Sequence, residues 1–373
     1  MPSRLRAVLL AAGEGKRLRP VTLDRPKPVI PLAGFSLAHY HLSLLSSLGV
    51  DEAAVVVGFG EEKVKAALGD GRELGLKITY LRQDRQLGTA HALMVAEQWL
   101  EGSEPFLLIY SDVYLPPSTP KALLSAVEEE GAEAAVAVAS VGRPWEFGVV
   151  EADPRGRLRR IVEKPRRGEE PSNLVIAGAF AFRRSIFGEL RNTKPSPRGE
   201  LELTDSITAL ASRSDVLLVG VGDRWTDAGR PGDLLRASTY LLDDVVESRL
   251  PQTLLKLVGG RFYLKESAEG GAEIRPPAFV GTGVVLEEDS VLGPYTVLEG
   301  FNSVGPGSSV EYSLLLDGSA VGAGSRVKRA ILCSNSSLPP GTEALSEDGG
   351  FSVVVGPGRE LGEKNPPAGT IVW

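Results

Sequence analysis

A six-residue period late in the chain leaves few folds open to it. Val280, Leu286, Leu292, Leu298, Val304, Val310 and Leu316 recur at that spacing, separated by Gly, Asp, Ser and other small or polar residues. After a shift of register, Val321, Val327 and Cys333 carry the pattern on. An amphipathic helix repeats about every 3.6 residues and a strand every ~2, so neither explains the step. A hexapeptide β-helix does, because one aliphatic residue on each side of a triangular coil points inward. A small β-sandwich with regular turns is the alternative that spacing alone leaves open.

Ahead of the repeat, apolar runs alternate with helical spacing. Ala7–Ala12, Ala53–Val57, Lys77–Leu81 and Phe106–Tyr110 read as strands, and Leu37–Leu48, Glu62–Leu68 and Ala90–Leu100 as helices. This rhythm predicts a mostly parallel sheet with helices on both faces. Ligands of such sheets bind at the carboxyl ends of strands. Gly13 and Asp112 both follow apolar strands, which places them at that edge. Asp243–Leu257 reads as a helical connector. The expected organisation is an α/β domain over residues 1–242, a connector over 243–270, the β-helix over 271–345 and a tail over 346–373.

Composition narrows the partners. A hydrophobic share of 42% and a charged share of 24% predict a sizeable core, and a net charge of −7 argues against a nucleic-acid partner. The single Cys333 excludes a disulfide framework within one chain and fits a cytoplasmic protein. No apolar run approaches the roughly 20 residues that span a bilayer. The run Ala7–Ala12 leads into Gly-Glu-Gly-Lys-Arg, which is no signal-peptide cleavage site. The three histidines, His39, His41 and His91, all lie in the first quarter, which limits histidine chemistry elsewhere.

The richest stretch is Leu10-Ala-Ala-Gly13-Glu-Gly15-Lys-Arg17-Leu-Arg19-Pro20, followed by Arg25-Pro26-Lys27-Pro28. Glycines after a strand let backbone N–H groups approach phosphate oxygens. Leu18 stands where a dinucleotide fingerprint needs its third glycine, and no Gly-Lys-Ser/Thr follows as in a Walker loop. A glycine turn by itself is equally a tight strand-to-helix turn. The cations decide the matter. Arg17 offers a planar fork for two phosphate oxygens, while Lys27 is a point charge on a backbone stiffened by Pro26 and Pro28.

This opening resembles the signature of the sugar nucleotidyltransferase family, and the likeness runs over roughly residues 5–245. Gln83-Asp-Arg-Gln-Leu-Gly88-Thr-Ala-His-Ala is similar to the family's base-recognition segment, and Ser111-Asp112 stands at its first metal-binding aspartate. Phe147-Gly148-Val-Val and Ile161-Val-Glu163-Lys164-Pro165 are similar to its sugar-binding strands. Pro171-Ser-Asn-Leu-Val-Ile-Ala-Gly178, Arg198-Gly-Glu-Leu-Glu-Leu-Thr-Asp205 and Trp225-Thr-Asp227-Ala-Gly229-Arg-Pro complete the series. Within the family, the long glucose-1-phosphate thymidylyltransferase form is the likeness we select, since its β-helix has runs similar to Gly293-Pro-Tyr-Thr and Val310-Glu-Tyr-Ser-Leu-Leu-Leu-Asp. The implied fold is a Rossmann-like nucleotidyltransferase domain with a mostly parallel mixed sheet, then a left-handed parallel β-helix.

The resemblance also implies roles. Leu10, Ala12, Gly13, Gln83, Gly88 and Thr89 fall on the nucleotide, with Gln83 and the Gly88 backbone reading the pyrimidine edge. Arg17 and Lys27 act on the triphosphate as the catalytic pair, and Asp112 and Asp227 bind Mg²⁺. Gly148, Glu163, Lys164, Gly178 and Arg198 hold the sugar phosphate. Taken singly, each has an ordinary structural reading, such as an Asp capping a turn or an exposed Glu-Lys pair. Ser111 departs from the usual glycine, and its Cβ narrows the approach to the ligand. Thr89 is commoner in uridylyl-type members.

The implied reaction joins a nucleoside monophosphate from dTTP to glucose-1-phosphate, releasing pyrophosphate. The rival within the class uses UTP with glucose-1-phosphate or N-acetylglucosamine-1-phosphate, because a pocket separates one methylene by only about 1–3 kcal/mol. An acyltransferase on the β-helix would want a histidine, and none follows His91. A non-catalytic nucleotide-sugar sensor is a further reading, opposed by the joint presence of Arg17, Lys27, Asp112 and Asp227. Open ends of a β-helix predict a homo-oligomer.

Overall fold

The computed structural model describes residues 5–347 and 350–373. It packs as two compact units, Met1–Gly13 with His41–Trp225, and Glu14–Tyr40 with Thr226–Trp373.

The first unit is built on a nine-stranded sheet. Strand β1 (Arg6–Ala11) pairs in parallel with β2 (Glu52–Val57) and β4 (Phe106–Tyr110), and β2 pairs in parallel with β3 (Lys77–Arg82). These four are the apolar runs read from the sequence, and Ala7, Val8, Leu9, Val55 and Leu108 are fully buried. The long strand Leu174–Phe182 then lies antiparallel to both β4 and Ala134–Ser140. Val216–Gly220 adds a parallel edge, and the hairpin Gly148–Ala152/Leu158–Glu163 hangs from Leu174–Phe182. The sheet is therefore mixed, with parallel pairing around β1.

Registers fix the functional edge. Leu10 lies opposite Tyr110 and Val56, and Val57 lies opposite Arg82. The carboxyl ends of β4, β1, β2 and β3 thus stand side by side. The helix expected over Ala90–Leu100 is α-helical only over Thr89–Met94, here α1, and 95–102 tighten into turns. Ala96 donates to Leu93 and Glu97 to Met94, three residues back rather than four. Ala96 and Leu100 remain buried, so the apolar spacing still serves the core. That core stacks Phe106, Phe180, Phe182 and Phe187, with ring centroids 5.5–5.9 Å apart.

In the second unit, successive strands from Ala272 to Ala344 rotate through three parallel sheets, which is the course of a parallel β-helix. Three inward ladders carry the aliphatic residues. One runs Val280, Leu298, Leu315, Leu332, Val355; the others run Leu286, Val304, Val321, Leu338 and Leu292, Val310, Val327, Ala344.

This corrects the six-residue reading at two places. The ladder takes Leu315 and Leu332, not Leu316 and Cys333, because Val310–Leu315 and Val327–Leu332 are five-residue steps. Alternation along a strand turns a one-residue slip into a change of face. Leu316 and Cys333 are nonetheless fully buried. Buried hydroxyls bind one coil to the next: Ser325 N–H donates to Ser308 Oγ, and Thr342 N–H to Ser325 Oγ, each at 3.1 Å.

Helix α2 (Pro231–Val246) precedes the coil, and a short helix Gln252–Lys256 follows it. Past residue 345 the sheet continues: Val353–Val355 and Thr370–Val372 add as parallel strands. Among the described residues, no helix is long and apolar enough to cross a membrane.

Candidate active site

In the first unit, the edge formed by β4, β1, β2 and β3 gathers most of the expected nucleotide residues. Leu10 and Ala12 present carbonyls that are already engaged. Leu10 O accepts from Ser111 N–H at 3.1 Å and from Ser111 Oγ at 2.6 Å. Ala12 O accepts from Phe59 N–H at 3.3 Å and Gln86 Nε2 at 2.9 Å. Next to them Gly13 is exposed, with no protein atom within 4 Å of the place its Cβ would take. Ser111 turns its hydroxyl back onto β1, so the side chain feared to narrow the site is bound to the strand.

Gln83 is buried, and its Nε2 donates to Gly88 O at 3.1 Å and lies 3.0 Å from His91 Nδ1. The pair expected to read the base is thus brought together, with the amide nitrogen employed inside the loop. Gly88 has φ 112° at the start of α1, and a Cβ there would lie 2.4 Å from Leu201 O. Thr89 Oγ1 accepts from Leu203 N–H at 3.1 Å. Its side chain ties the loop to the protein.

Asp112, half-buried, follows β4 after Ser111. Beside it, the fully buried His41 donates Nε2–H to Val113 O at 2.7 Å. Burial pushes His41 down to about 4, so the ring is neutral and holds the chain after Asp112 through one tautomer.

The expected sugar-phosphate residues form a second cluster in this unit. Arg198 Nη2 lies 2.6 Å from Glu202 Oε1 and 3.3 Å from Glu163 Oε1, and Lys164 Nζ lies 3.8 Å from the same Glu163 oxygen. Thr204 Oγ1 donates to Glu163 Oε2 at 3.4 Å. Burial raises the Glu163 carboxyl above its ordinary range; Lys164 opposes this, Glu202 adds to it, and Arg198 opposes it. Gly148 faces this carboxylate closely, since a Cβ would lie 3.0 Å from Glu163 Oε2. Gly178 occupies the bulge in Leu174–Phe182 with φ 84°, against the Tyr110 ring. Glu202 and Thr204 were not singled out from the sequence. Residues 198–202 are not helical, so the four-residue spacing of Arg198 and Glu202 gave no signal for their pairing.

In the second unit, the loop 14–28 folds on itself. Gly15 has φ 68°, its carbonyl accepts from Thr22 Oγ1 at 3.0 Å, and a Cβ on it would lie 3.3 Å from Lys27 Cβ. Lys27 opens a short 3₁₀ turn, Lys27–Val29, behind Pro26. Arg17, 65% exposed at its side chain, places Nη2 3.9 Å from Asp227 Oδ2. Arg17 thus stands beyond hydrogen-bond reach of that carboxylate. Asp227 leads into α2. Among the described residues no group of three or more His, Cys, Asp or Glu side chains converges on a metal position. Mg²⁺ needs less: it keeps several waters and takes one or two carboxylates together with substrate phosphates. Asp112 in the first unit and Asp227 in the second are each partly exposed carboxylates, the donor type that ion takes.

The mixed sheet with glycine and aspartate at its carboxyl edge, and the cationic loop, define a class that comparison bears out. A nucleotidyl transferase family model matches residues 6–244, and the chain belongs to that family of enzymes. It is 32% identical over 316 residues to a glucose-1-phosphate thymidylyltransferase of Streptomyces antibioticus, covering 84% of this chain and 87% of that one. Over 288 residues it is 32% identical to the bifunctional protein GlmU of Methanococcus maripaludis, covering 77% of this chain and 62% of that protein. Its fold is similar to that of a UDP-glucose pyrophosphorylase complexed with UDP-glucose, with TM-score 0.58, 26% identity, and 64% and 98% of the two chains covered.

Proposed function

We propose that this nucleotidyltransferase transfers thymidylate from dTTP to glucose-1-phosphate in the cytoplasm, giving dTDP-glucose and pyrophosphate. The observation that carries the reading is the possession of two cation sets for two anionic substrates, Arg17 with Lys27 and Lys164 with Arg198. The sugar-phosphate oxygen attacks the α-phosphorus; a new P–O bond forms as the bond to the β-phosphate bridging oxygen breaks, and pyrophosphate leaves with that electron pair. A phosphate oxygen is already ionised near neutral pH, so no general base is needed. Catalysis is then alignment and charge stabilisation.

Arg17 grips the triphosphate with its fork, and Lys27 offsets charge as the α-phosphorus reacts. The backbone at Gly13 approaches the nucleotide, beside Leu10 and Ala12. Gln83 Oε1 and the Gly88 backbone read the base, on a loop that Thr89 anchors. Glu163, Gly148 and Gly178 shape the sugar site, while Lys164 and Arg198 hold its phosphate. Asp112 and Asp227 would hold Mg²⁺, which supplies charge neutralisation on phosphate oxygens when bound.

A UTP-dependent reaction on glucose-1-phosphate or N-acetylglucosamine-1-phosphate is the second reading, favoured by the likeness to GlmU and to the UDP-glucose pyrophosphorylase. Pyrophosphate release with Mg²⁺ separates them, using dTTP and UTP against both sugar phosphates. Fastest release with dTTP and glucose-1-phosphate, falling at least ~100-fold in Asp112→Ala, is the expected result. Faster release with UTP moves the assignment to the second reading. No release with any pair would leave a nucleotide-sugar sensor and sink the catalytic one.

A further inference from the structure

Residues 14–40 carry the triphosphate cations, yet they pack with the β-helix as one compact unit. Two polar fastenings hold this segment to the coils. Arg25, 17% exposed at its side chain, donates from Nη2 to Ser334 Oγ at 2.6 Å and lies 3.5 Å from Asp317 Oδ2. Asp317 and Ser334 belong to neighbouring coils, because Asn335 N–H donates to Asp317 O. One guanidinium nitrogen, Nη2, therefore faces two neighbouring coils. At the other end of the segment, Gly34 N–H donates to Glu299 Oε1 at 3.2 Å. Gly34 has φ 76°, and a Cβ there would lie 2.5 Å from both Phe279 Cζ and Val258 Cγ1. The backbone is pressed against the coil where no side chain fits.

The path from Arg25 to Lys27 is short and stiff. Only Pro26 lies between them, with φ −65°, and Pro28 follows. Movement of Arg25 is therefore passed to Lys27 with little backbone freedom to absorb it. Lys27 in turn packs near Gly15, at the head of the turn that carries Arg17: a Cβ on that glycine would lie 3.3 Å from Lys27 Cβ.

We propose that Arg25 and Glu299 are positioning residues for the loop bearing Arg17 and Lys27, so that the β-helix sets where the triphosphate cations stand. The proposal rests on reading Arg17 and Lys27 as triphosphate groups. Neither Arg25 nor Glu299 touches the reacting atoms; each acts through the loop it holds.

The test uses the full-length chain as wild type, Arg25→Gln, Glu299→Gln and Glu299→Leu, with three readouts. These are hydrogen exchange over residues 14–35, dTTP binding by calorimetry, and steady-state pyrophosphate release. Melting temperature controls for folding. In Arg25→Gln, exchange over 14–35 speeds up and kcat/KM for dTTP falls ~10–100-fold, the scale of a misplaced reacting group. The KM for sugar phosphate stays within about twofold, because Lys164 and Arg198 are held by other residues. Glu299→Gln keeps an acceptor for Gly34 N–H and stays within ~3-fold of wild type, whereas Glu299→Leu loses ~10-fold or more. Glu299→Gln thus preserves a readable comparison if Arg25→Gln folds poorly. Unchanged exchange in Arg25→Gln and Glu299→Leu overturns the proposal. So does faster exchange with dTTP binding and kcat/KM near wild type. A wild type that binds dTTP but releases no pyrophosphate sinks the proposed reaction alone, and weakened dTTP binding in the variants still supports the positioning role. A wild type that binds UTP and not dTTP moves the same readouts to UTP, and one that binds neither overturns both.

Discussion

Gly88 shows what a single residue contributes to this site. Its φ of 112° lies where side chains are strained, and the Leu201 carbonyl occupies the place of a Cβ. Gly88→Ala is expected to lower stability by about 1–3 kcal/mol, read as a lower denaturation midpoint, and to loosen Gln83 from the Gly88 carbonyl. From the sequence, glycine at this position stood out through its motif. The clash that requires it did not, because Leu201 is distant in sequence. Arg198 makes the same point with charges. The sequence offered it as a phosphate contact; the fold surrounds it with Glu163 and Glu202, which hold the guanidinium in place and offset its charge. Ser111 was legible as a departure from glycine, but only the folded edge shows its hydroxyl turned onto Leu10 O.

At the level of elements, the β-helix tests how far periodicity can be trusted. Apolar spacing located the coil, yet a five-residue step is invisible where Leu314, Leu315 and Leu316 stand together, since each could be the inward residue. Strand pairing decides for Leu315, which sits between Leu298 and Leu332. Leu315→Ala should therefore cost about 2–5 kcal/mol by opening a cavity inside the coil, measured by chemical denaturation. The strands β1, β2, β3 and β4 were legible because fully buried parallel strands are continuous apolar runs. The end of α1 was not, because the tightening after Met94 keeps the same residues buried.

On the scale of the whole chain, the segment that begins after Gly13 groups with the coil that follows some 250 residues later. Its carboxylate Glu299 has a titration to report. Burial raises it from 4.5 to about 8; Gly34 N–H opposes the shift, Asp317 adds to it, and Arg25 opposes it. The folded protein then binds the proton more tightly than the unfolded chain does. This contribution to stability is present at low pH, declines as pH rises above about 4.5, and is lost beyond about 8. The melting temperature is accordingly expected to fall between pH 6 and pH 9, with a shallower fall in Glu299→Gln. An equal fall in both proteins would show that Glu299 is not its source.

The sequence by itself determined the class of both architectures and the family. Those depend on local periodicity and on ordered short motifs, which a linear reading preserves. Tertiary structure decided the inward register of Leu315 and Leu332, the seating of Arg25 across Asp317 and Ser334, and the carboxylates around Arg198. Each of these depends on which distant backbone groups a side chain meets. Hydrogen bonds and steric exclusion act over a few ångströms of space, whatever the separation along the chain.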